Sequence, residues 1–254
     1  MDLKGKSAVI TGGGSGIGLA ITRALQSEGA KTLIVGRDRA RLNAVRGGNT
    51  LISTYAADVS KGSERDGLIQ HLLKGSPPVD IFINNAGTMQ SIDLRKDGAL
   101  SLLDNELALD LYAPIHFATA LLPHLLKRPE AAVVNITSGL IYAPFGSTPG
   151  YSAAKSGLHD FTRSLRWQTR SGQLQVLEVM PPTVDTELTK HAKVPKIQPE
   201  VVAKAVVKAL KQGTTELRVG QAKALYFMSR LAPQAIFNMM NKMADKSLKN
   251  QFAS

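Results

Sequence analysis

A chain of 254 residues, 43% hydrophobic and 20% charged, has the composition of a globular protein with one sizeable core. It contains no cysteine, which excludes disulfides and thiolate metal sites and gives no argument for an oxidising compartment. The formal net charge of +11 raises the question of nucleic acid, but the basic residues are dispersed and aromatics make up only 5%, so no stacking platform or dense basic run marks such a binder. The start, Met1-Asp2-Leu3-Lys4, lacks a signal-peptide layout, and no apolar stretch approaches the ~18–20 residues of a membrane span. A cytoplasmic location without a membrane is the expectation.

Short apolar runs alternate with amphipathic segments. Strands are expected at Ser7–Ile10, Thr32–Val35, Leu51–Ala57, Val79–Ile83, Ala131–Thr137, Leu174–Met180 and Glu216–Val219. Helices are expected at Ile17–Ser27, Arg39–Arg46, Glu64–Leu73, Tyr151–Thr169 and Pro199–Lys211, with a long helical region over 98–127 that Pro114 kinks or divides. Strands apolar throughout and spaced by helices predict a seven-stranded parallel sheet covered on both faces, an α/β fold. No linker, repeat or low-complexity block interrupts it, so residues 1–220 read as one Rossmann-type domain, with 221–254 as a helical extension of the same domain. Ligands of such sheets bind at the carboxyl ends of the strands.

At the first of those ends stands Thr11-Gly12-Gly13-Gly14-Ser15-Gly16-Ile17-Gly18. Glycines between a strand and a helix let the backbone approach a pyrophosphate, which then lies on the free N–H groups of the helix start. The segment predicts a dinucleotide, with Gly12, Ser15, Gly16, Ile17 and Gly18 as contacts. An acid at the end of the second strand would accept from the ribose 2′-hydroxyl of NAD; this chain has Gly36 there, then Arg37. A guanidinium can hold a 2′-phosphate bidentately, so NADP(H) is favoured over NAD(H), with Ser15 and Arg39 as assistants. The plainer reading makes Arg37 a solvated loop residue beside an Asp38 helix cap. Asp58-Val59, closing the third strand, is a candidate adenine contact, or a loop aspartate capping a turn.

Tyr151 and Lys155 lie one helical turn apart on one face of their predicted helix. A phenol with an ordinary pKa near 10 is a poor proton carrier at neutral pH, and a nearby ammonium favours its phenolate. Such a pair alone is commonplace on helix surfaces. Its weight comes from Ser138, 13 positions earlier at the end of the fifth strand, and from Asn84-Asn85-Ala86-Gly87 after the fourth.

The glycine turn, the NNAG segment, Ser138 and the Tyr151-Ser152-Ala153-Ala154-Lys155 run together resemble the short-chain dehydrogenase/reductase family, over residues 5–220. The resemblance implies Tyr151 as general acid/base, Lys155 as its pKa-lowering partner and ribose anchor, and Ser138 as substrate polariser. It further implies that Asn84, Asn85, Ala86 and Gly87 support the sheet and flank the adenosine ribose. Pro181, Thr183, Val184 and Thr186 match the segment over the nicotinamide. Two positions depart from the family pattern. Asp110 replaces an asparagine that helps hold a water joining the lysine to solvent, and its charge favours a protonated Lys155. Pro182 replaces a glycine, which stiffens the loop and removes an N–H.

Gly139–Gly146 should wall the substrate pocket, with Met89 and Met180 adding apolar surface. Lys190, His191, Lys193 and Lys196 fall in the expected lid, where they are read as solvated more readily than as anion-binding. The tail repeats Ile236, Phe237, Met239, Met240 and Met243 at helical spacing, with Lys223, Arg230, Lys242, Lys246 and Lys249 against one acid, Asp245. A subunit interface or a cover over the substrate mouth is preferred to an anionic membrane surface for this face. From Gly220 onward the chain is similar to the DltE-like branch of bacterial oxidoreductases. The expected activity is hydride transfer between NADP(H) and a small carbonyl or alcohol, in a homodimer or homotetramer. The alternatives are reduction of a 3-oxoacyl thioester and a weakly active NADPH-binding sensor.

Overall fold

The computed structural model describes the backbone of residues 1–75 and 77–252, and the side chains through Lys242 apart from residue 76. The strands are β1 (Ser7–Thr11), β2 (Lys31–Gly36), β3 (Ile52–Ala56), β4 (Ile81–Asn84), β5 (Ala131–Ile136), β6 (Leu174–Met180) and β7 (Glu216–Arg218). The helices are α1 (Gly16–Ser27), α2 (Arg39–Arg46), α3 (Gly62–Lys74), α4 (Ala99–Leu107), α5 (Ala113–Leu125), α6 (Pro149–Gln168), α7 (Pro199–Gln212), α8 (Ala222–Leu231) and α9 (Pro233–Phe252). All seven strands run parallel in the order β3-β2-β1-β4-β5-β6-β7. The order reverses between β1 and β4, so a crevice opens beyond their carboxyl ends.

Strand residues point alternately to the two faces, and both faces are apolar, so two cores form. Ile10, Ile34, Ile83 and Val134 pack with Ile21 and Leu25 of α1 and with Val206 and Leu210 of α7. Val9, Val35, Phe82 and Val133 pack on the other side with Leu68 of α3, Phe117 and Leu121 of α5, and Leu165 of α6. The elements follow the expected sequence pattern, with ends shifted by a residue or two.

The long helical region departs in an informative way. It is divided between α4 and α5 by a π-helical turn at Ala108–Tyr112, in which the Ala113 N–H donates to the Ala108 carbonyl five residues back. Pro114, in the first turn of α5, supplies the cause: it has no N–H, and its ring crowds the carbonyl four residues before it. That carbonyl belongs to Asp110. The turn widens there, and Asp110 is fully buried.

The tail is two helices, not one, because Pro233 opens α9 directly after α8 ends. The expected apolar residues all fall on α9, where Ile236 is buried while Phe237 and Met239 are exposed. Met243, Asp245, Lys246 and Lys249 lie outside the described side chains. No helix among the described residues is long and apolar enough to cross a membrane.

Candidate active site

The glycine turn joins β1 to α1 at the switch point. Gly12 has φ +67°, a left-handed conformation that favours glycine, and a Cβ there would meet Asn85 Nδ2 at 2.9 Å. Gly18 is held by space instead, since its Cβ would fall 2.3 Å from the Gly12 carbonyl oxygen. Ser15 precedes α1 with no side-chain cap, and no acid stands in the first turn. The helix start thus presents N–H groups without a competing carboxylate. Thr186, from the segment after β6, lies over the loop with its Cγ2 3.1 Å from where a Gly16 Cβ would be.

Asn84-Asn85-Ala86-Gly87 holds this loop and the central strands together. The Asn84 amide donates to Asn135 Oδ1 at 2.8 Å, and the Asn135 amide donates in turn to Thr162 of α6 at 2.8 Å. Asn85 Nδ2 donates to the Thr11 carbonyl at 3.0 Å, and the backbone N–H groups of Asn85 and Ala86 both reach Thr11 Oγ1.

At the end of β2, Gly36 is followed by the exposed Arg37, while Asp38 caps α2 by accepting from the Arg41 N–H at 3.0 Å. Arg39 is also exposed. Asp58 accepts from the Ser60 hydroxyl at 2.7 Å and the Ser60 N–H at 3.1 Å. Burial pushes its carboxyl up, but the Ser60 bonds and the Arg37 and Lys61 charges together hold it below the usual value. Asp58 therefore caps a turn, and Val59 beside it is buried.

Tyr151, Lys155 and Ser138 converge beyond the ends of β4 and β5. All three are buried, and Lys155 Nζ lies 5.6 Å from the centre of the Tyr151 ring. Lys155 donates to the Ile136 carbonyl at 3.2 Å and pairs with Asp110 Oδ1 at 2.9 Å. Asp110 Oδ2 accepts from the Thr88 N–H at 2.9 Å. Gly87 makes room for the pair, since a Cβ there would sit 2.5 Å from Asp110 Oδ1. The aspartate is thus in direct contact with the lysine, whereas Asn105 one turn earlier is exposed.

Electrostatics follow from burial and from this pair. Burial disfavours the Lys155 ammonium, but the Asp110 and Tyr151 charges outweigh it and raise the lysine above its ordinary value. Burial raises Asp110, with Lys155 and the Thr88 N–H opposing. Burial is also the larger effect on Tyr151: its phenol stands above its ordinary value, although Lys155 and Ser138 favour the phenolate. The ammonium by itself does not bring the phenol toward neutrality.

Ser138 is steadied from beneath. Its neighbour Thr137 donates to Glu178 Oε1 at 2.8 Å, and His159 of α6 lies 2.9 Å from the same buried carboxylate. The loop 139–146 is closed off by the tail. The Tyr142 hydroxyl donates to Met180 Sδ at 2.8 Å and accepts from Arg218 Nε at 2.9 Å, while the Arg218 guanidinium stacks 4.1 Å over the Tyr226 ring of α8. From α9, Asn241 accepts from the Gly146 N–H at 2.5 Å and donates to the Pro144 carbonyl at 3.1 Å.

After β6, Pro181 is buried and its carbonyl accepts from the Gly139 N–H at 2.9 Å. Pro182 lies beside Gly220. Thr183 and Val184 are pinned by a short bridge to Ile197. In the lid, Lys190 pairs with Glu187 and Lys196 with Asp185, while His191 and Lys193 are exposed. Met89 is half-buried and Met180 buried.

Sequence reading missed Glu106. It is fully buried at the end of α4, and its Oε1 accepts from the Gln90 N–H at 2.6 Å. The available signal was its spacing: Glu106 and Asp110 are two acids four positions apart in a stretch otherwise rich in leucine.

Residues 6–196 match the family model described as short chain dehydrogenase. The chain is 34% identical over 248 residues to the uncharacterized oxidoreductase DltE of Bacillus subtilis, covering 95% of this chain and 98% of that one. Its fold matches a short chain dehydrogenase from Burkholderia cenocepacia in complex with NADP, at TM-score 0.83 and 22% identity over 94% of this chain and 98% of the other. It also resembles a 3-ketoacyl-(acyl-carrier-protein) reductase from Brucella melitensis complexed with NADH, at TM-score 0.78 and 25% identity over 85% and 97% of the two chains. With a family match across most of its sheet and a relative aligned over nearly its whole length, the chain belongs to the short-chain dehydrogenase family.

Proposed function

We propose that this chain is an NADP(H)-dependent oxidoreductase that interconverts a small carbonyl compound and its alcohol, with Tyr151 as the general acid/base. The observation that carries the reading is the buried Lys155 ammonium, 5.6 Å from the Tyr151 ring, with Ser138 on the adjoining strand end.

The residues present fit a dinucleotide. The uncapped start of α1, the glycines that a Cβ would obstruct, and the exposed Arg37 where other members of this fold carry an acid suit a pyrophosphate and a 2′-phosphate. Gly12, Ser15, Gly16, Ile17 and Gly18 would hold the pyrophosphate, with Asn85, Ala86 and Gly87 beside the adenosine ribose. Lys155 would anchor the other ribose, and Pro181, Thr183, Val184 and Thr186 would cover the nicotinamide. When bound, that group supplies or accepts the hydride.

Ser138 orients the carbonyl oxygen through its hydroxyl. Tyr151 donates its proton to that oxygen during reduction and takes it back during oxidation. Lys155, held protonated by Asp110, lowers the cost of the phenolate left behind. Asp110 thereby keeps a positive charge at the site in a pocket where burial would remove it.

Arg37 gives a test of cofactor choice. Arg37→Ala is expected to weaken NADPH binding by about ten- to a hundredfold, the loss of one or two charge-assisted hydrogen bonds. NADH affinity should barely move. Titration of both cofactors by fluorescence reads the difference, and equal weakening of both would remove the role assigned to Arg37. The activity is tested by following NADPH oxidation over ketones, aldehydes, quinones and 3-oxoacyl thioesters, with NADH in parallel. Turnover confined to thioesters would select the acyl-thioester reading. NADPH binding without turnover on any class, before and after Asp110→Asn, would select the sensor reading.

A further inference from the structure

We infer that Glu106 is a positioning residue that caps the helix of Tyr151 from a neighbouring helix and locks it to the segment at Gln90. The inference rests on the proposed role of Tyr151 for its catalytic meaning, and on geometry alone for its structural content.

The first turn of an α-helix leaves N–H groups with no partner inside the helix. In α6 these belong to the residues around Tyr151, and the residue that precedes the helix, Thr148, makes no side-chain cap. The first i→i−4 bond of the helix runs from the Ser152 N–H to the Thr148 carbonyl at 3.0 Å. The Tyr151 N–H is left over, and Glu106 Oε2 lies against this first turn, 2.3 Å from where a Gly150 Cβ would be. Burial and the Asp110 charge raise the Glu106 carboxyl above its ordinary value, with the Gln90 and Tyr151 N–H groups opposing. The same carboxylate accepts the Gln90 N–H at 2.6 Å. One side chain from α4 thus lies between Gln90, three residues beyond the NNAG segment, and the first turn of the helix that carries the reacting phenol.

The arrangement is poorly explained as packing. Glu106 is fully buried, and its Oε2 closes no full hydrogen bond. A buried carboxylate oxygen in that condition is costly, and a leucine would fill the volume without the cost. Gly150 is shaped to the carboxylate, since a Cβ there would fall 2.3 Å from Glu106 Oε2. One turn further on, Asp110 repeats the pattern by joining the Thr88 N–H to Lys155. The two acids, on one side of the widened helical turn, each tie one residue after the NNAG segment to one reacting residue of α6.

The test compares Glu106→Gln, which keeps one of the two acceptor oxygens and puts a donor NH2 in place of the other, with Glu106→Ala, which keeps neither. Hydrogen exchange of the full chain is measured with and without NADPH, alongside NADPH affinity and, on a ketone that the wild type reduces, kcat and KM. Glu106→Ala is expected to speed exchange about tenfold or more in peptides covering 88–92 and 148–155, with little change elsewhere. It should lower kcat about tenfold with NADPH affinity retained, and Glu106→Gln, with one acceptor left, should fall between Glu106→Ala and wild type in both exchange and kcat. Should Glu106→Ala fail to fold, Gly150→Ala displaces the carboxylate without altering charge and should reproduce the local exchange. Unchanged exchange in those two segments, a uniform rise across the chain, or no rescue by glutamine would each overturn the inference. A wild type that reduces no carbonyl sinks the proposed activity instead, and the exchange comparison still decides the clamp.

Discussion

Tyr151→Phe is expected to lower kcat by about 10²- to 10⁴-fold, the usual range for removing a general acid/base. NADPH affinity should be essentially retained, because the change deletes one hydroxyl and leaves the ring and its packing. The size of the effect follows from the site. Tyr151 is buried, with Ser138 and Lys155 as the neighbours that favour its phenolate, so no second proton donor stands ready at that position. Solvent does not easily replace it either. Steady-state kinetics and NADPH titration of the variant check both halves, and a kcat within about tenfold of wild type would exclude Tyr151 as the acid/base.

Lys155→Met should cost about 3–5 kcal/mol of stability near pH 8, because it leaves Asp110 as a buried charge without its partner. The cost is expected to depend on pH in a definite direction. Burial already raises the Asp110 carboxyl above its ordinary value, and Lys155 is the main opposing influence. Without the lysine the folded-state value rises further. An acid with a raised folded-state value stabilises the fold below its unfolded value and loses that contribution as pH rises through the folded one. The deficit relative to wild type should therefore be small near pH 5 and grow toward pH 8. Urea unfolding across that range reads it, and a deficit flat with pH would mean that Asp110 stays ionised in the folded variant as it does in wild type, so that losing Lys155 does not raise it. Adding Asp110→Asn to Lys155→Met should recover most of the loss, since neither buried charge then remains.

Much of the site was legible before any coordinates. Glycines after a first apolar strand, asparagines after a fourth, and Tyr151 one turn before Lys155 are local patterns whose geometry is set within a few residues. Asp58 shows where local pattern runs short. Adenine contact and turn cap were both open; its two bonds from Ser60, both to Oδ1, supply the cap, and the adenine contact stays a proposal. The tail shows the same limit. Helical periodicity found an apolar face on what is now α9 but did not reveal that a separate helix, α8, precedes it, or that Asn241 and Tyr226 hold the tail against the loop after Ser138.

Alternation of apolar strands with amphipathic helices was enough to determine a parallel sheet covered on both faces, because each element must bury its apolar side within its own short stretch of chain. The candidate reacting residues came from a family resemblance carried by four short motifs on separate elements. Tertiary structure alone decided their charge states and supports. Whether a lysine stays protonated, or a carboxylate is tolerated, depends on burial and on partners distant in sequence: Asp110 on Lys155, Glu106 on Gln90 and Tyr151. Those partners meet only when the sheet brings the ends of β4 and β5 together. Coulomb and desolvation energies depend on separations in space, and distance along the chain does not encode them.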